Sequence, residues 1–390
     1  LPEPTKVITL VGPEPLKAMQ QLGQYDRLMK ENPKVVAITG RNGKTRTKDM
    51  TAAIFATQYH VVKTPDNYNN ESGVPMTILS MEPKTEVLVL EMGMDRPGQL
   101  HALSTLAEPD VAVITMIGEA HIEFFKTRDK IADAKMEITD GLKDDGTFIF
   151  NGDEPLLQER AKKITQERET FGLHPENTIF AHSISGHRNH TEFTVEAWPD
   201  LTFSIPIMGE YNVVNALAAL LVGRKFHVKP EIMQKALAHF QVTANRTQWL
   251  IGDVGEQILS DVYNANPTAM KAVIHDFSEF TATGRHIAVL GDMLELGEQS
   301  PALHAGLSEA LDPKEVQVVY LYGSDMKALA DALAAKYPAD QLHYYPLDDK
   351  EQMTRDLQND VNHDDMVLLK ASHGLHLETV LSALVAGGRA

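Results

Sequence analysis

Residues 40–45 read Gly-Arg-Asn-Gly-Lys-Thr, directly after the apolar run Val35-Val36-Ala37-Ile38-Thr39 and before a helix-like stretch. That order suits nucleotide phosphates. Gly40 and Gly43 let backbone N–H groups approach the oxygens, with Asn42 between them, and a helix N-terminus adds a positive dipole. Lys44 reaches the phosphates, and Thr45 can hold Mg²⁺. The run is shorter than a full eight-residue phosphate loop, since Ile38 stands where its first glycine would be. On the motif alone, a glycine turn that merely caps a helix is the plainer alternative.

A second group lies later in the chain. Asp261, Tyr263, Asn264 and Asn266 fall at the end of a strand-like run, just before Pro267. A turn alone would account for the asparagines. Ligands of α/β domains bind at the carboxyl ends of strands, which favours function. Asp292 also follows a strand-like run and fits either reading. Asn212 and Asn215 stand at a helix start, where asparagine is favoured as a cap. No H-E-x-x-H or similar spacing points to zinc.

The elements that must position these groups alternate almost throughout. Strand-like runs at 34–39, 87–91, 111–115 and 147–151 are separated by helical patterns such as 45–58 and 131–142. From 179 to 207 short alternating strands read as a small antiparallel patch. Residues 212–226 form a strong amphipathic pattern, and another helix follows Pro230. After Asn245 strands near 257–262, 286–290, 316–322, 342–345 and 366–370 alternate with helices, enough for one doubly wound domain. The fold class is therefore α/β: a phosphate-loop ATPase domain with a mostly parallel sheet and a small antiparallel patch, then a Rossmann-like doubly wound domain. The expected divisions are 1–33, 34–245 and 246–390.

At 390 residues the chain suits two domains. The formal net charge of −18, with scattered Lys and Arg, leaves no basic footprint for nucleic acid. With no cysteine, thiolate metal sites and a Cys nucleophile are excluded. The longest nearly apolar run, 213–222, is about half of a membrane span. Leu1-Pro2-Glu3-Pro4 reads neither as a signal peptide nor as a natural start. These features describe a cytoplasmic protein, expected to be a monomer.

The short phosphate loop resembles that of the Mur ligase family and its relative folylpolyglutamate synthase. Further segments agree in order from about residue 15 to the end. Asn67-Tyr68-Asn69-Asn70-Glu71 with Gly73-Val74-Pro75, Leu290 to Glu298, and Lys370-Ala371-Ser372-His373-Gly374 are similar to the D-alanyl-D-alanine-adding type of that family. Glu91-Met92-Gly93 resembles its acidic Mg²⁺ position, Gly118 to Glu123 its His segment, and Ala134 to Ile138 its Lys segment. Gly209 to Leu217 resembles the adenine-side helix start, and Asn245-Arg246-Thr247 a nucleotide contact from the second domain.

The resemblance implies ATP-dependent joining of D-Ala-D-Ala to a UDP-N-acetylmuramoyl tripeptide through an acyl phosphate. It implies Mg²⁺ held by Thr45 and Glu91, and a second Mg²⁺ served by His121 and by Lys135 once CO₂ has carbamylated it. Otherwise Glu91 is a solvated charge, Lys135 a surface lysine and His121 a capping or core histidine. Asn212, Arg246, Asp261, Tyr263, Asn264 and Asn266 would contact the nucleotide, while Asn67, Asn69, Asn70, Glu71, Ser372 and His373 would contact the other substrates. Lys44, His121 and Lys135 would be catalytic.

Three departures stand out. The family usually has Ser or Thr where this chain has Arg41, and Thr where it has Arg46; two arginines there add charge or block the loop. Tyr211 stands where the family usually has His. Only 33 residues precede Lys34, and 15–28 resemble just a connecting helix, so the UDP-sugar domain is expected to be absent. The rivals are another Mur-type or polyglutamate-type ligase with a different amino acid, or a non-catalytic binding protein that kept the fold.

Overall fold

Apolar runs too short for helices and too continuous for half-exposed strands become central parallel strands, covered on both faces. In the computed structural model, which describes residues 13–29, 32–118, 125–187, 189–241 and 248–385, β1 (Lys34–Thr39) is buried except at Lys34. It is followed by β2 (Val61–Lys63), β3 (Val87–Glu91), β4 (Val111–Ile114), β5 (Thr147–Asn151), β6 (Glu167–Gly172), β7 (Ile179–Gly186), β8 (Thr191–Val195) and β9 (Trp198–Ile205). These form one sheet ordered β2-β3-β1-β4-β5-β6-β7-β8-β9. Pairing is parallel as far as β7 and antiparallel from β7 to β9, which is the patch expected from 179–207. The loop after β1 thus leaves the middle of a sheet, between β3 and β4.

Eight helices accompany this sheet among the described residues: α1 (Pro15–Met29), α2 (Lys44–Phe55), α3 (Gly73–Leu79), α4 (Gln99–Ala107), α5 (Arg128–Met136), α6 (Pro155–Ala161), α7 (Glu210–Lys225) and α8 (Pro230–Ala238). One face packs Met50, Ile54 and Phe55 of α2 against Leu217, Leu220 and Leu221 of α7. The other face packs Ile78, Leu100, Leu103, Ile131 and Leu157 from α3 to α6. Because α7 is covered nearly all round, its N-terminus is anchored beside that of α2.

The second sheet holds β10 (Gln248–Ile251), β11 (Gln257–Asp261), β12 (His286–Gly291), β13 (Val318–Tyr322), β14 (Leu342–Tyr345) and β15 (Met366–Lys370), ordered β10-β11-β15-β12-β13-β14. All its pairings are parallel except β10 with β11. The helices that cover it are α9 (Pro267–Ser278), α10 (Ser300–Ala305), α11 (Met326–Leu333), α12 (Lys350–Asp360) and α13 (Glu378–Val385). Met270 and Leu329 mark one apolar layer, Met353 and Val380 the other, as in a doubly wound sheet.

The differences from the sequence reading have local causes. The helix expected over 131–142 ends at Met136 in a 3-10 turn, Glu137–Thr139. There Ser104 donates its hydroxyl to Ile138 O (2.5 Å), and a side chain on Gly141 would strike the Ser104 carbonyl. β2, β6 and β10 escaped notice because they are short or strongly polar. Among the described residues no helix is long and apolar enough to cross a membrane.

Leu217 is fully buried where α7 meets the sheet. Leu217→Ala should cost about 2–5 kcal/mol of stability by cavity formation. Urea unfolding checks this; a loss below about 1 kcal/mol would show that the α7 layer repacks around the gap.

Candidate functional site

The chain turns sharply after β1 because Gly40 and Gly43 take φ of 145° and 84°, where a side chain is strained. Space forbids one as well: a Cβ on Gly40 would lie 1.9 Å from Thr115 Oγ1, and one on Gly43 2.0 Å from Asn215 Oδ1. The loop is pinned from below. Arg41 N donates to Met116 O (3.0 Å), and the Thr115 hydroxyl donates to Asn42 O (2.6 Å). Lys44 and Thr45 then open α2, and Lys44 Nζ rests on the carbonyls of Gly40 (3.1 Å) and Arg41 (3.4 Å).

At the end of β3, Glu91 is 2% exposed. Its carboxylate accepts the Thr45 hydroxyl at 2.9 Å and the Asn69 side-chain amide at 2.9 Å, with Lys48 Nζ 4.0 Å away. Gly93 lets Asn69 come this close, since a Cβ there would meet Asn69 Oδ1 at 2.9 Å. A buried carboxylate beside a hydroxyl is a hard-oxygen pair suited to Mg²⁺. Among the described residues no three His, Asp or Glu gather tightly enough to enclose a metal by themselves. Phosphate oxygens and water must complete the shell, the usual habit of Mg²⁺ at a nucleotide.

The second sheet meets the loop directly. Asn42 Oδ1 accepts from Asn264 Nδ2 (3.2 Å) and Asn266 Nδ2 (2.9 Å), and Arg41 donates to Asn264 Oδ1 (3.5 Å). Lys370, 1% exposed at the end of β15, donates to Asp261 Oδ2 (2.5 Å) and to the Asn264 carbonyl (3.0 Å). A buried lysine so paired fixes the β11–α9 loop. Asn266 also caps α9, accepting from Ala269 N at 3.0 Å.

Two clefts flank the loop. One, of about 280 Å³, is lined from the first sheet's side by residues 41–46, Asn69, Glu91, Tyr211, Asn212 and Asn215. The second sheet contributes Asp261, Tyr263, Asn264, Lys370 and the α9 face. The other, about 260 Å³, is lined by Gly40, Asn69, Asn70, Glu71, Asp95, Gln99 and Lys135. Arg41, Lys44 and Asn69 border both.

The expected site residues fall into three sets. Most border a cleft. Asn266, Asn67, Ser372 and His373 border neither: Asn266 is a buried cap, Ser372 accepts from Leu294 N (3.0 Å), and His373 stacks loosely near Tyr263. His121 and Arg246 lie outside the described residues. Asn70 borders the second cleft while its Oδ1 accepts from Gly73 N (2.9 Å) at the start of α3. Asp292 is buried and accepts from Met326 N (2.8 Å), a structural task. Sequence reasoning passed over Thr115, Thr268 and Ala272, which carried no signal, and noted Lys370 only as part of the 370–374 segment without giving it a role.

Lys135 is not a surface lysine: it is 5% exposed on α5 and borders the second cleft. Burial, and then the charges of Lys44 and Arg41, hold its amine well below the ordinary lysine range. A neutral buried amine is a nucleophile toward CO₂.

The chain matches the Mur ligase middle domain over residues 38–223 and the Mur ligase glutamate ligase domain over 245–373. It is 39% identical to a UDP-N-acetylmuramoyl-tripeptide–D-alanyl-D-alanine ligase of Bacillus subtilis, across 95% of this chain and 79% of that one. A MurF structure from Acinetobacter baumannii has a TM-score of 0.86 and 28% identity, covering 98% of this chain and 83% of that one. MurF from Thermotoga maritima in complex with ADP has a TM-score of 0.84 at 28% identity, covering 99% and 87%.

The lowered affinity of Lys135 for its proton has a consequence for stability. Between the folded value and the unfolded value of about 10.4, the unfolded chain binds a proton that folded Lys135 refuses, so this group makes stability rise with pH there. In CO₂-free buffer, Lys135→Met should stabilise the protein most near neutral pH, and the gain should shrink toward pH ~10. Denaturant midpoints across that range measure it; a pH-independent difference would mean Lys135 is charged in the folded protein.

Proposed function

The chain belongs to the Mur ligase family, and from that premise we infer that it is an ATP-dependent ligase adding D-Ala-D-Ala to a UDP-N-acetylmuramoyl tripeptide in peptidoglycan precursor synthesis. The observation that carries this reading is the pair of clefts sharing Arg41, Lys44 and Asn69. A phosphoryl donor in one cleft and a carboxylate acceptor in the other would meet across those side chains.

A carboxylate is a poor electrophile until activated. An oxygen of the tripeptide's terminal carboxylate attacks the γ-phosphorus of ATP; the bond to the bridging oxygen breaks, and ADP leaves with that oxygen. The amine of D-Ala-D-Ala then attacks the acyl carbon, a C–N bond forms, phosphate departs, and the amine proton goes to solvent. Mg²⁺, when bound, neutralises charge on the transferring phosphoryl group. Lys44 would leave its loop carbonyls to meet phosphate oxygens, and Thr45 and Glu91 would hold the metal. Tyr211, Asn212 and Asn215 at the start of α7, with Tyr263 and the α9 face opposite, hold the nucleoside. Asn69, Asn70, Glu71 and Gln99 border the space for the acceptor and the amine. The neutral amine of Lys135 would attack CO₂ and release a proton to solvent, and the resulting carbamate oxygen, with His121, would serve a second Mg²⁺.

Residues 34–245 serve as the ATP-binding domain and 246–390 as the domain that closes on it, with Arg246 and Asp261 brought to the nucleotide. The cleft stays open beside Arg41 and Arg46, so neither arginine fills the nucleotide's place. The reading as a peptidoglycan-precursor ligase implies work in the cytoplasm, as a monomer, and the net charge of −18 offers no basic footprint for nucleic acid.

Lys44→Ala should abolish ADP formation dependent on both substrates, a loss of at least ~100-fold, while the melting curve stays near the parent's. Parental turnover would remove the loop from the chemistry. Activity of a CO₂-depleted sample should fall and return with bicarbonate, and ¹³C-bicarbonate should give a carbamate NMR signal that Lys135→Gln lacks. The same signal in that variant would assign the carbamate elsewhere.

A further inference from the structure

Arg41 is held at three points along its length. Its backbone N is tied to Met116 O at 3.0 Å. Its stem lies over Gly118, where an added Cβ would come within 2.7 Å of Arg41 Cγ. Its guanidinium reaches Asn264 Oδ1 at 3.5 Å, on the second sheet's side. Backbone, stem and head are thus each constrained, and the side chain is half-buried. With Lys44 and Asn69 it borders both clefts, whereas Arg46 borders only the first and Lys135 only the second. Arg41, Lys44 and Lys135 together line the second cleft.

We propose that Arg41 is a catalytic residue that holds the phosphoryl group during its passage from ATP to the acceptor carboxylate. The proposal rests on the ligase reading above and deepens it. In the transfer, the acceptor oxygen forms a bond to the γ-phosphorus as the bond from phosphorus to the bridging oxygen breaks, and ADP takes the electron pair. Charge spreads over the three equatorial oxygens of the phosphoryl group. Lys44 offers a point charge, whereas a guanidinium offers a planar fork that contacts two oxygens at once. A group bordering both clefts stays in contact throughout the transfer, whereas one confined to the nucleotide cleft favours the ground state as much as the transition state. Asn264 orients the fork from the opposite sheet, so closure of the two halves and placement of the charge are one event.

The test compares the parent with Arg41→Ser and Arg41→Lys, using ATP, the UDP-precursor and D-Ala-D-Ala. Arg41→Ser should lower kcat about 100-fold, while the KM for ATP and the Kd for ADP alone change by less than about threefold. Arg41→Lys should recover only part of the loss, because charge returns without the fork. Calorimetry supplies a second readout: ADP with aluminium fluoride and the precursor should bind the parent tighter than ADP alone does, and Arg41→Ser should lose that gain. Unchanged kcat in Arg41→Ser, or a loss confined to ATP affinity, would overturn the role and leave the ligase reading standing. Failure of the parent itself to form ADP with these substrates would remove the ligase reading and the role of Arg41 with it.

Discussion

Asn42 occupies a loop that leaves the centre of one sheet, and that loop has to be held still while presenting its surface to an anion. The holding is done by hydrogen bonds from two directions and by packing from a third. Thr115, just past β4, donates to the Asn42 carbonyl, while Asn264 and Asn266 from the second sheet donate to its side-chain oxygen. Asn215 of α7 fills the space that a side chain on Gly43 would need. Each partner stands at the end of a strand or the start of a helix, because only there are backbone groups still unsatisfied and side chains free to turn toward a ligand. The alignment of the two sheets follows from this junction. So does the position of the two clefts, which lie on either side of it.

Electrostatics at this junction run against those of the chain as a whole. The formal charge is −18, yet Arg41, Lys44, Arg46 and Lys370 all line one cleft. Lys48 and Lys370 are neutralised locally, the first near Asp49 (3.6 Å) and Glu91, the second by Asp261. Lys135 is left buried with like charges for neighbours, and burial together with the charges of Lys44 and Arg41 lowers its hold on its proton. A site with this concentration of positive charge suits an arriving anion such as a phosphate. The general acidity of the surface then acts on solubility rather than on the local field.

The same arrangement separates two kinds of asparagine. Asn42 and Asn266 spend their side chains on holding the loop and capping α9. Asn69 is different: it borders both clefts and donates to Glu91, the proposed metal-binding carboxylate, through a 2.9 Å hydrogen bond. Ser372 follows the first pattern, since its hydroxyl holds the Leu294 backbone.

How much of this was readable beforehand depends on the range of the interaction. Local signals were enough for the central strands, for the glycine loop with Lys44 and Thr45, and for the α/β class, because burial writes apolar runs and a tight turn demands glycine within a few residues. The antiparallel patch and α7 were legible for the same reason. The end of α5 at Met136 was not, because Ser104, which bonds the Ile138 carbonyl, lies far from it in sequence. Nor was the burial of Lys135, whose helical neighbours look like those of any exposed lysine until α5 is packed against the loop. Arg41 is the clearest case. Its type and position were plain in the sequence and left open whether it adds charge or blocks the loop. Its place on the border of two clefts, with Asn264 more than two hundred residues away as its partner, exists only once the sheets are brought together. Residue types determined which chemistry was available, and long-range packing decided which groups could reach each other to perform it.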